Sequence, residues 1–210
     1  MGIDTVVKRH QERGRYDSET LNGILDEALI CHVAFSMDNQ PYNMPMIPVR
    51  IGSDLYLHTS IKSRIYKVLS SGIEACATAT LLDGLVLAKS AYNSSMNYRS
   101  AIVFGKMSPV TDDRERLAVA KKLTEKIASG RWSDCRHPSE GELKATGFLK
   151  LPITKFSAKI RSGPPIDNPE DLKLPFWSGV VPVTTVKGIP ETSPVDRGKI
   201  DLPGYLIEDS

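Results

Sequence analysis

Apolar and polar residues alternate along much of this chain, and in a few stretches the apolar positions recur at helical spacing instead. Alternation, or a short run of apolar and β-branched residues, predicts strands over residues 31–37, 42–51, 54–58, 73–82, 85–90, 101–104 and 148–161. Spacings of three and four predict helices over residues 21–30, 63–72 and 112–129, and a short one from residue 139. We therefore expect a mainly β protein with inserted helices, a closed or split β-barrel rather than a parallel α/β sheet.

Turn and capping residues predict how these elements begin and connect. The first three strands are expected to form a meander, and Asp83-Gly84 is a typical hairpin turn. Pro45 and Pro48 cannot donate ladder hydrogen bonds, so the strand over residues 42–51 should lie at an edge, bulge, or face a ligand. The expected helix caps are Ser18 or Thr20 for the first helix, then Ser63, Asp112 and Ser139.

The composition is that of an ordinary globular protein, with 40% apolar and 25% charged residues and a formal net charge of +2. The chain has no block of basic residues, so nothing in its charge distribution predicts nucleic-acid binding. The three cysteines, Cys31, Cys76 and Cys135, lack the spacing of a zinc site or a disulfide framework, which favours a reducing, cytoplasmic location and no metal. No apolar run is long enough to span a membrane.

The turn after the strand at residues 54–58 carries the first candidate chemistry. Thr59, Ser60 and Ser63 supply hydroxyl donors, and Lys62 and Arg64 supply positive charge, where a strand meets the start of a helix. Hydroxyls, unpaired backbone N–H groups and a guanidinium are suitable donors for a phosphate. The alternative is that Ser63 only caps the helix while both cations are solvated.

Three segments together resemble one known family. They are residues 57–64 (LHTSIKSR), 82–105 (LDGLVLAKSAYNSSMNYRSAIVFG) and 159–182 (KIRSGPPIDNPEDLKLPFWSGVVP). They are similar to the pyridoxamine 5′-phosphate oxidase-related flavin-nucleotide-binding proteins, the FMN-binding split-barrel superfamily. The resemblance implies an N-terminal arm over residues 1–20, an FMN-binding split barrel over 21–182 and a C-terminal tail over 183–210. It also implies a homodimer with the flavin sites at its interface.

The resemblance assigns roles to individual residues. Thr59, Ser63 and Arg64 match the family's phosphate-binding turn, although Ile65 stands where the oxidases have a lysine. The resemblance also implies a second basic contact to the phosphate from Arg50 and a backbone segment at the ring edge formed by Pro45, Met46 and Ile47. Three further residues, Arg99, Ser100 and Trp177, match ones that reach a flavin across the dimer interface. His58 is the only histidine near this site and is expected to hydrogen-bond the flavin or its phosphate.

Two departures from the family limit the expected function. Asn93-Ser94 replaces a His-His pair found in many relatives, which weakens a haem-binding interpretation, and residues 183–210 lack the Arg-x-His element that holds the oxidases' substrate. Oxidation of pyridoxamine phosphate is therefore not expected. We expect an FMN-dependent oxidoreductase acting on a small molecule, with no identifiable catalytic acid or base. The alternatives are a non-catalytic flavin-binding or storage module and a haem-binding split barrel.

Overall fold

The computed structural model describes residues 4–207, within which eleven strands form two antiparallel sheets. Residues 1–3 of the expected arm and 208–210 of the expected tail lie outside the described residues. The strands are β1 (Gly14–Arg15), β2 (Cys31–Met37), β3 (Gln40–Met46), β4 (Val49–Ile51), β5 (Asp54–Ser60), β6 (Glu74–Leu87), β7 (Ser95–Lys106), β8 (Ser108–Pro109), β9 (Thr146–Pro152), β10 (Lys155–Arg161) and β11 (Gly179–Pro182).

The larger sheet has the order β1-β10-β7-β6-β2-β3, and the smaller one has the order β4-β5-β9-β8. Strand β6 pairs with β7 along one edge and is long enough to pair with two strands along its other edge. Its first half pairs with β2 and its second half with β11, which comes from a segment nearly a hundred residues later. Strand β3 ends the larger sheet and β4 ends the smaller one, so the predicted edge position of residues 42–51 is confirmed.

The core lies between the two sheets and against the first helix. Small residues alternate along the middle of the larger sheet, where Ala75, Ala77 and Ala79 of β6 are buried. Leu55 and Leu57 of β5 face the same core from the smaller sheet. Because successive strand residues point to opposite faces, this alternation places the intervening side chains of this part of β6 on the outer face of the sheet.

Four helices connect and cover the sheets: α1 (Ser18–Glu27), α2 (Arg64–Leu69), α3 (Asp113–Ile127) and α4 (Glu140–Ala145). The predicted cap of α1 was wrong, because Asp17 rather than Ser18 or Thr20 accepts the Thr20 N–H, at 2.8 Å. The caps predicted for the other three helices, Ser63, Asp112 and Ser139, are confirmed. None of the helices within residues 4–207 is long and apolar enough to cross a membrane.

Three predicted connections differ from the structure. Asp83-Gly84 forms no hairpin: β6 runs through it to Leu87 with a bulge between Leu82 and Gly84. Residues 42–51 divide at Pro48 into β3 and β4, which belong to different sheets, so the expected meander does not form. Residues 148–161 divide in the same way into β9 and β10, with a turn after Pro152. Prolines end a strand where the ladder needs another N–H donor.

Candidate functional site

The turn between β5 and α2 is built around one serine. The Ser63 hydroxyl accepts the Tyr66 N–H at 3.1 Å, and the Thr59 hydroxyl donates to Ser63 Oγ, also at 3.1 Å. The Tyr66 ring lies on Gly147 of β9, where a Cβ atom would come within 2.3 Å of the ring, so only glycine lets α2 pack this closely. Helix α2 has six residues, and its dipole is correspondingly weak. Any anion held here must therefore be bound mainly by side chains and turn N–H groups.

Arg64 is the first residue of α2 and remains available to a ligand. Its guanidinium carbon lies 4.7 Å from the centre of the Tyr42 ring, which stacks on Phe35 with centroids 5.3 Å apart. No carboxylate forms an ion pair with Arg64 within residues 4–207. A guanidinium held over an aromatic face keeps its N–H edge free for an acceptor. The Tyr42 ring, itself supported by Phe35, thus orients the Arg64 guanidinium.

A cavity of about 270 Å³ adjoins the turn, and it gathers five of the predicted residues: Pro45, Met46, Ile47, His58 and Thr59. The Nδ1 atom of His58 is buried and has no hydrogen-bond partner within the described chain. Burial also lowers the pKa of His58 below its ordinary value of 6.5, which keeps the imidazole neutral near pH 7. Buried polar atoms are nearly always hydrogen-bonded. A ligand in this cavity would supply the missing partner.

Two of the predicted basic residues, Arg50 and Arg99, lie outside this cavity and form salt bridges with carboxylates. Arg50 binds Asp26 through two hydrogen bonds of 3.0 and 2.6 Å and donates a third to the Gly52 carbonyl at 2.7 Å. Arg99 pairs with both Asp83 and Glu27, and these contacts raise the pKa of its guanidinium further. Both arginines therefore anchor the C-terminal end of α1 in a single chain. Their assignment to a flavin stays a prediction.

The last two predicted residues, Ser100 and Trp177, lie outside this cavity. The Ser100 hydroxyl donates to the Lys159 carbonyl at 3.4 Å on the larger sheet. Trp177 precedes β11 and is 65% exposed, and its ring covers Gly179, where a Cβ atom would lie 2.7 Å from it. In one chain neither side chain reaches the cavity of about 270 Å³. A role at a flavin would require a second chain.

Sequence reasoning missed three residues of the site: Tyr42, Met44 and Ile65. Met44 and Ile65 line the cavity, and Tyr42 supports Arg64. The signal was present for two of them, because Tyr42 and Met44 share a face of β3 with the predicted Met46 at the strand period of two. Ile65 had been noted only as a replacement for a lysine. In the structure it supplies apolar wall instead of charge.

Comparison with protein families and with solved structures identifies proteins that are similar to this chain. The family model described as pyridoxamine 5′-phosphate oxidase matches residues 17–160. The solved structure of a flavocytochrome from Azotobacter vinelandii is 33% identical, with a TM-score of 0.90, and the match covers 97% of this chain and 95% of the other. The FAD and heme binding protein from Mycobacterium smegmatis is 34% identical, with a TM-score of 0.89, covering 94% and 97% of the two chains. No curated protein sequence matches the chain. The predicted mainly β split-barrel fold is confirmed.

Proposed function

The chain belongs to the pyridoxamine 5′-phosphate oxidase family, and on that premise we propose that it binds a flavin nucleotide at the cavity between β3 and α2. The observation that carries this proposal is the buried, unpartnered Nδ1 of His58 beside the Thr59 and Ser63 hydroxyls. The neutral imidazole of His58 suits a polar, uncharged part of a ligand, and the two hydroxyls with the Arg64 guanidinium suit a phosphate. Two solved structures that match nearly the whole of this chain are those of a flavocytochrome and of an FAD and heme binding protein.

Different residues of the cavity would bind different parts of the flavin nucleotide. Arg64, Ser63 and Thr59 would hold the phosphate that FMN and FAD share, with Arg64 able to bind two of its oxygens. Within residues 4–207 strand β3 pairs only with β2, so its other edge presents unpaired backbone groups. Pro45 can offer only its carbonyl there, because proline has no N–H. Such an edge can hydrogen-bond a flat ring that carries both donors and acceptors. His58 would bind the flavin or its phosphate from below the cavity.

A second copy of the chain would complete the site. A volume of about 270 Å³ lies below the roughly 300–1,000 Å³ that encloses a ligand of this size. Large apolar side chains are exposed elsewhere, among them Tyr92 at 91%, Trp177 at 65% and Phe176 at 59%. Aromatic side chains are enriched at protein interfaces. We propose a homodimer in which Trp177, Arg99 and Ser100 of one chain approach the flavin held by the other.

The activity that follows is oxidation or reduction of a small molecule. A bound flavin supplies hydride or electron transfer, and the protein supplies binding, orientation and electrostatics. The cavity holds one titratable side chain, His58, and no acid–base pair, so the chain's residues would position the reactants rather than move protons. A protein that only binds or stores flavin differs from an oxidoreductase in that no electron donor reduces its bound flavin. Mixing the protein with NADH, NADPH or reduced deazaflavin and following the flavin absorbance tests this difference.

A second candidate is a flavoprotein that also binds haem. The similarity to a flavocytochrome over 97% of this chain favours it, because that match includes most of the C-terminal tail. Asn93-Ser94 in place of a histidine pair argues against it. The visible spectrum of the purified protein separates the possibilities: flavin bands alone, flavin bands with a Soret band, or neither. Mass analysis of the released cofactor then distinguishes FMN, the original expectation, from FAD.

The phosphate site can be tested by titrating apo-protein with FMN. Arg64→Ala should lose a charge-assisted contact worth about 1.5–3 kcal/mol, and Ser63→Ala should lose less, because the turn N–H groups remain. Lys67→Ala is the matched control, since Lys67 is an exposed cation of the same helix outside the cavity. Equal FMN affinities for Arg64→Ala, Lys67→Ala and the unaltered protein would place the phosphate elsewhere.

A further inference from the structure

Trp177 is exposed, yet its ring is supported by the backbone of the next strand. Its side chain is 65% exposed, and the ring lies against Gly179, the first residue of β11, where a Cβ atom would come within 2.7 Å of it. A large aromatic side chain gains most of its stabilisation when its surface leaves water. A tryptophan that is supported in this way and still two-thirds exposed is suited to stack on a planar molecule.

The segment between β10 and β11, residues 162–178, carries Trp177 and has little regular structure. It contains one short 3-10 helix, Asp171–Lys173. Its large apolar side chains are exposed, with Ile166 at 78%, Leu172 at 60% and Phe176 at 59%. Burial of apolar surface therefore contributes little to holding this segment in place. Its position depends instead on polar contacts with the larger sheet.

One lysine supplies these contacts at the Trp177 end of the segment. Lys89 lies two residues after the end of β6, and its Nζ atom donates to the Leu174 carbonyl at 2.8 Å and to the Phe176 carbonyl at 2.7 Å. The Phe176 carbonyl belongs to the planar peptide group that joins Phe176 to Trp177, so this contact fixes the backbone from which the indole departs. Charge-assisted hydrogen bonds are stronger than neutral ones. No carboxylate forms an ion pair with Lys89 within residues 4–207, so its charge serves these two carbonyls.

The rest of the segment is held at two other points. The backbone N–H of Lys89 donates to Asp167 Oδ1 at 2.7 Å, near the middle of the segment. At the start, Arg161 and Asn97 are each less than a tenth exposed, and both donate to the Gly163 carbonyl, at 3.4 and 3.1 Å. The segment is thus held at its start, middle and end, and of these contacts those of the Lys89 ammonium adjoin the tryptophan.

We propose that Lys89 is a positioning residue that holds Trp177 ready to stack on the planar ring of a bound ligand. The identity of that ligand rests on the proposed function: it is the isoalloxazine ring of a flavin in the cavity of a second chain. An indole is electron-rich and an oxidised isoalloxazine is electron-poor, so the two rings stack favourably. A side chain that is already ordered loses less conformational entropy on binding, which strengthens binding. Trp177 touches the ligand, and Lys89 acts only through Trp177.

The experiment uses Trp177 as the reporter. The chain has two tryptophans, so every protein carries Trp132→Phe, which keeps an aromatic ring against His137. In this background Lys89→Met removes the ammonium group and keeps a long apolar stem, and Lys89→Arg restores a cationic donor. Lys173→Met is the matched control, since Lys173 is an exposed cation of the same segment without an ion pair among the described residues.

The first measurement needs no ligand. Time-resolved fluorescence anisotropy of the apo-proteins reports motion of the indole on the nanosecond scale. We expect a fast component of the decay in Lys89→Met that is absent from Lys89→Arg, from the control and from the background protein. Asp167→Ala removes the acceptor of the Lys89 N–H without changing Lys89, so it should show a smaller fast component, and it decides the question if Lys89→Met does not fold. Equal decays in all the proteins would refute the positioning role.

The second measurement is a titration of the same apo-proteins with FMN, which follows the flavin fluorescence and the emission of Trp177. A flavin stacked on an indole abolishes its emission by electron transfer at contact, whereas a more distant flavin quenches it only in part. The background protein should therefore lose nearly all Trp177 emission at saturation. Lys89→Met should retain a measurable part of this emission and bind FMN about two- to tenfold more weakly, since one side chain is no longer ordered beforehand. Lys89→Arg and the control should match the background protein.

Two results of the titration would overturn the role of Trp177 at the ligand. They are incomplete quenching of Trp177 in the FMN-saturated background protein, and equal quenching and affinity in Lys89→Met and the background protein. Failure of FMN to bind any of the proteins would reject the proposed flavin site. The anisotropy measurements on the apo-proteins would still decide whether Lys89 positions Trp177.

Discussion

His58 is the residue whose environment most directly implies a ligand. Its neighbours in the cavity are apolar or neutral, and its buried Nδ1 lacks a partner within the described chain. Desolvation lowers the pKa of the imidazole because the charged form loses its hydration without gaining a counter-charge. A neutral imidazole can donate from one nitrogen and accept at the other. The residue is thus suited to recognise a ligand by hydrogen bonding rather than by charge.

The lowered pKa predicts a pH dependence of stability for the apo-protein. Between the folded pKa and 6.5 the unfolded chain binds more protons at residue 58 than the folded one, so stability rises with pH through this window. The contribution is fully present above pH 6.5 and is lost as the pH falls toward the folded value. We expect His58→Gln to reduce the loss of stability between pH 7.5 and 5.5, measured by urea denaturation.

The matched control for this prediction is His32→Gln. His32 is an exposed histidine on β2, so its substitution should leave the pH dependence unchanged. If His58→Gln and the unaltered protein lost the same free energy of unfolding between the two pH values, the buried imidazole would not be responsible for the slope.

At the scale of single elements, the C-terminal end of α1 collects charged side chains from both sheets and from α3. Its last residues, Asp26 and Glu27, pair with Arg50 of β4 and Arg99 of β7, and Lys126 of α3 caps its carbonyls. Cations at a helix C-terminus are favourable because the unpaired carbonyls carry partial negative charge. One helix end therefore joins both sheets and α3 through side-chain contacts.

Strand β6 shows where local sequence signals fail. Asp-Gly favours a two-residue turn, but Asp83 pairs with Arg99 of the adjacent strand, and Gly84 pairs with Pro182 of β11. A Cβ atom at Gly84 would lie 3.0 Å from the Val180 side chain and 3.2 Å from the Val181 carbonyl. The glycine therefore permits a close approach between strands rather than a turn. The partners that decide this are far away in the chain, so no local pattern could reveal them.

The same distinction explains how much of the site could be predicted. His58, Thr59 and Ser63 are neighbours in sequence and lie together in the structure, because one strand and one capped turn place them. Arg50 and Arg99 depend on acids of α1, which no motif connects to them. Strand existence and helix caps followed from periodicity and capping chemistry, whereas strand partners, and hence the division into two sheets, required long-range contacts.

The substitution Gly84→Ala tests whether Gly84 is needed for the close approach of β11 to β6. The added methyl group should push β11 away from β6 by a few tenths of an ångström, weakening the pairing without opening the core. We expect faster amide hydrogen exchange at Val180 and Val181, with little change in the melting temperature. Gly141→Ala, at a glycine of α4 with nothing within 4 Å of the added atom, should leave the exchange of β11 unchanged. Unaltered exchange in Gly84→Ala would mean that β11 does not need the close approach.

At the scale of the whole molecule, the concave surfaces lie at boundaries between elements. The cavity proposed to bind the flavin lies where the edge strand β3 meets the turn before α2, and a larger cleft of about 1,020 Å³ lies between α1, β4 and α3. The segment from Met44 to Gly52 crosses from the larger sheet to the smaller one and lines both. Phe176 and Trp177, which precede β11, are exposed and are candidates for a third surface. A dimer would bring this third surface to the first.

The shared site of the proposed dimer can be tested by complementation. Arg64→Ala would remove the proposed phosphate contact of a chain's own cavity, and Trp177→Ala would remove the side chain expected to reach the partner's flavin. Because Trp177 is exposed and Arg64 has no ion pair within residues 4–207, neither change should unfold the protein. After mild dissociation and reassociation of an equal mixture, each heterodimer has one site with both residues intact. About a quarter of all sites should then bind flavin normally.

The control mixture combines Arg64→Ala with Ser63→Ala. Both changes lie in the same turn, so a heterodimer of these two variants has one lesion in each site and should recover nothing. Flavin should also shift the monomer–dimer equilibrium toward the dimer, because a ligand held by both chains stabilises the associated state by mass action. Light scattering with and without flavin measures that shift. Absence of recovery in the Arg64→Ala and Trp177→Ala mixture, or a monomer that binds flavin at full affinity, would rule out a site shared between two chains.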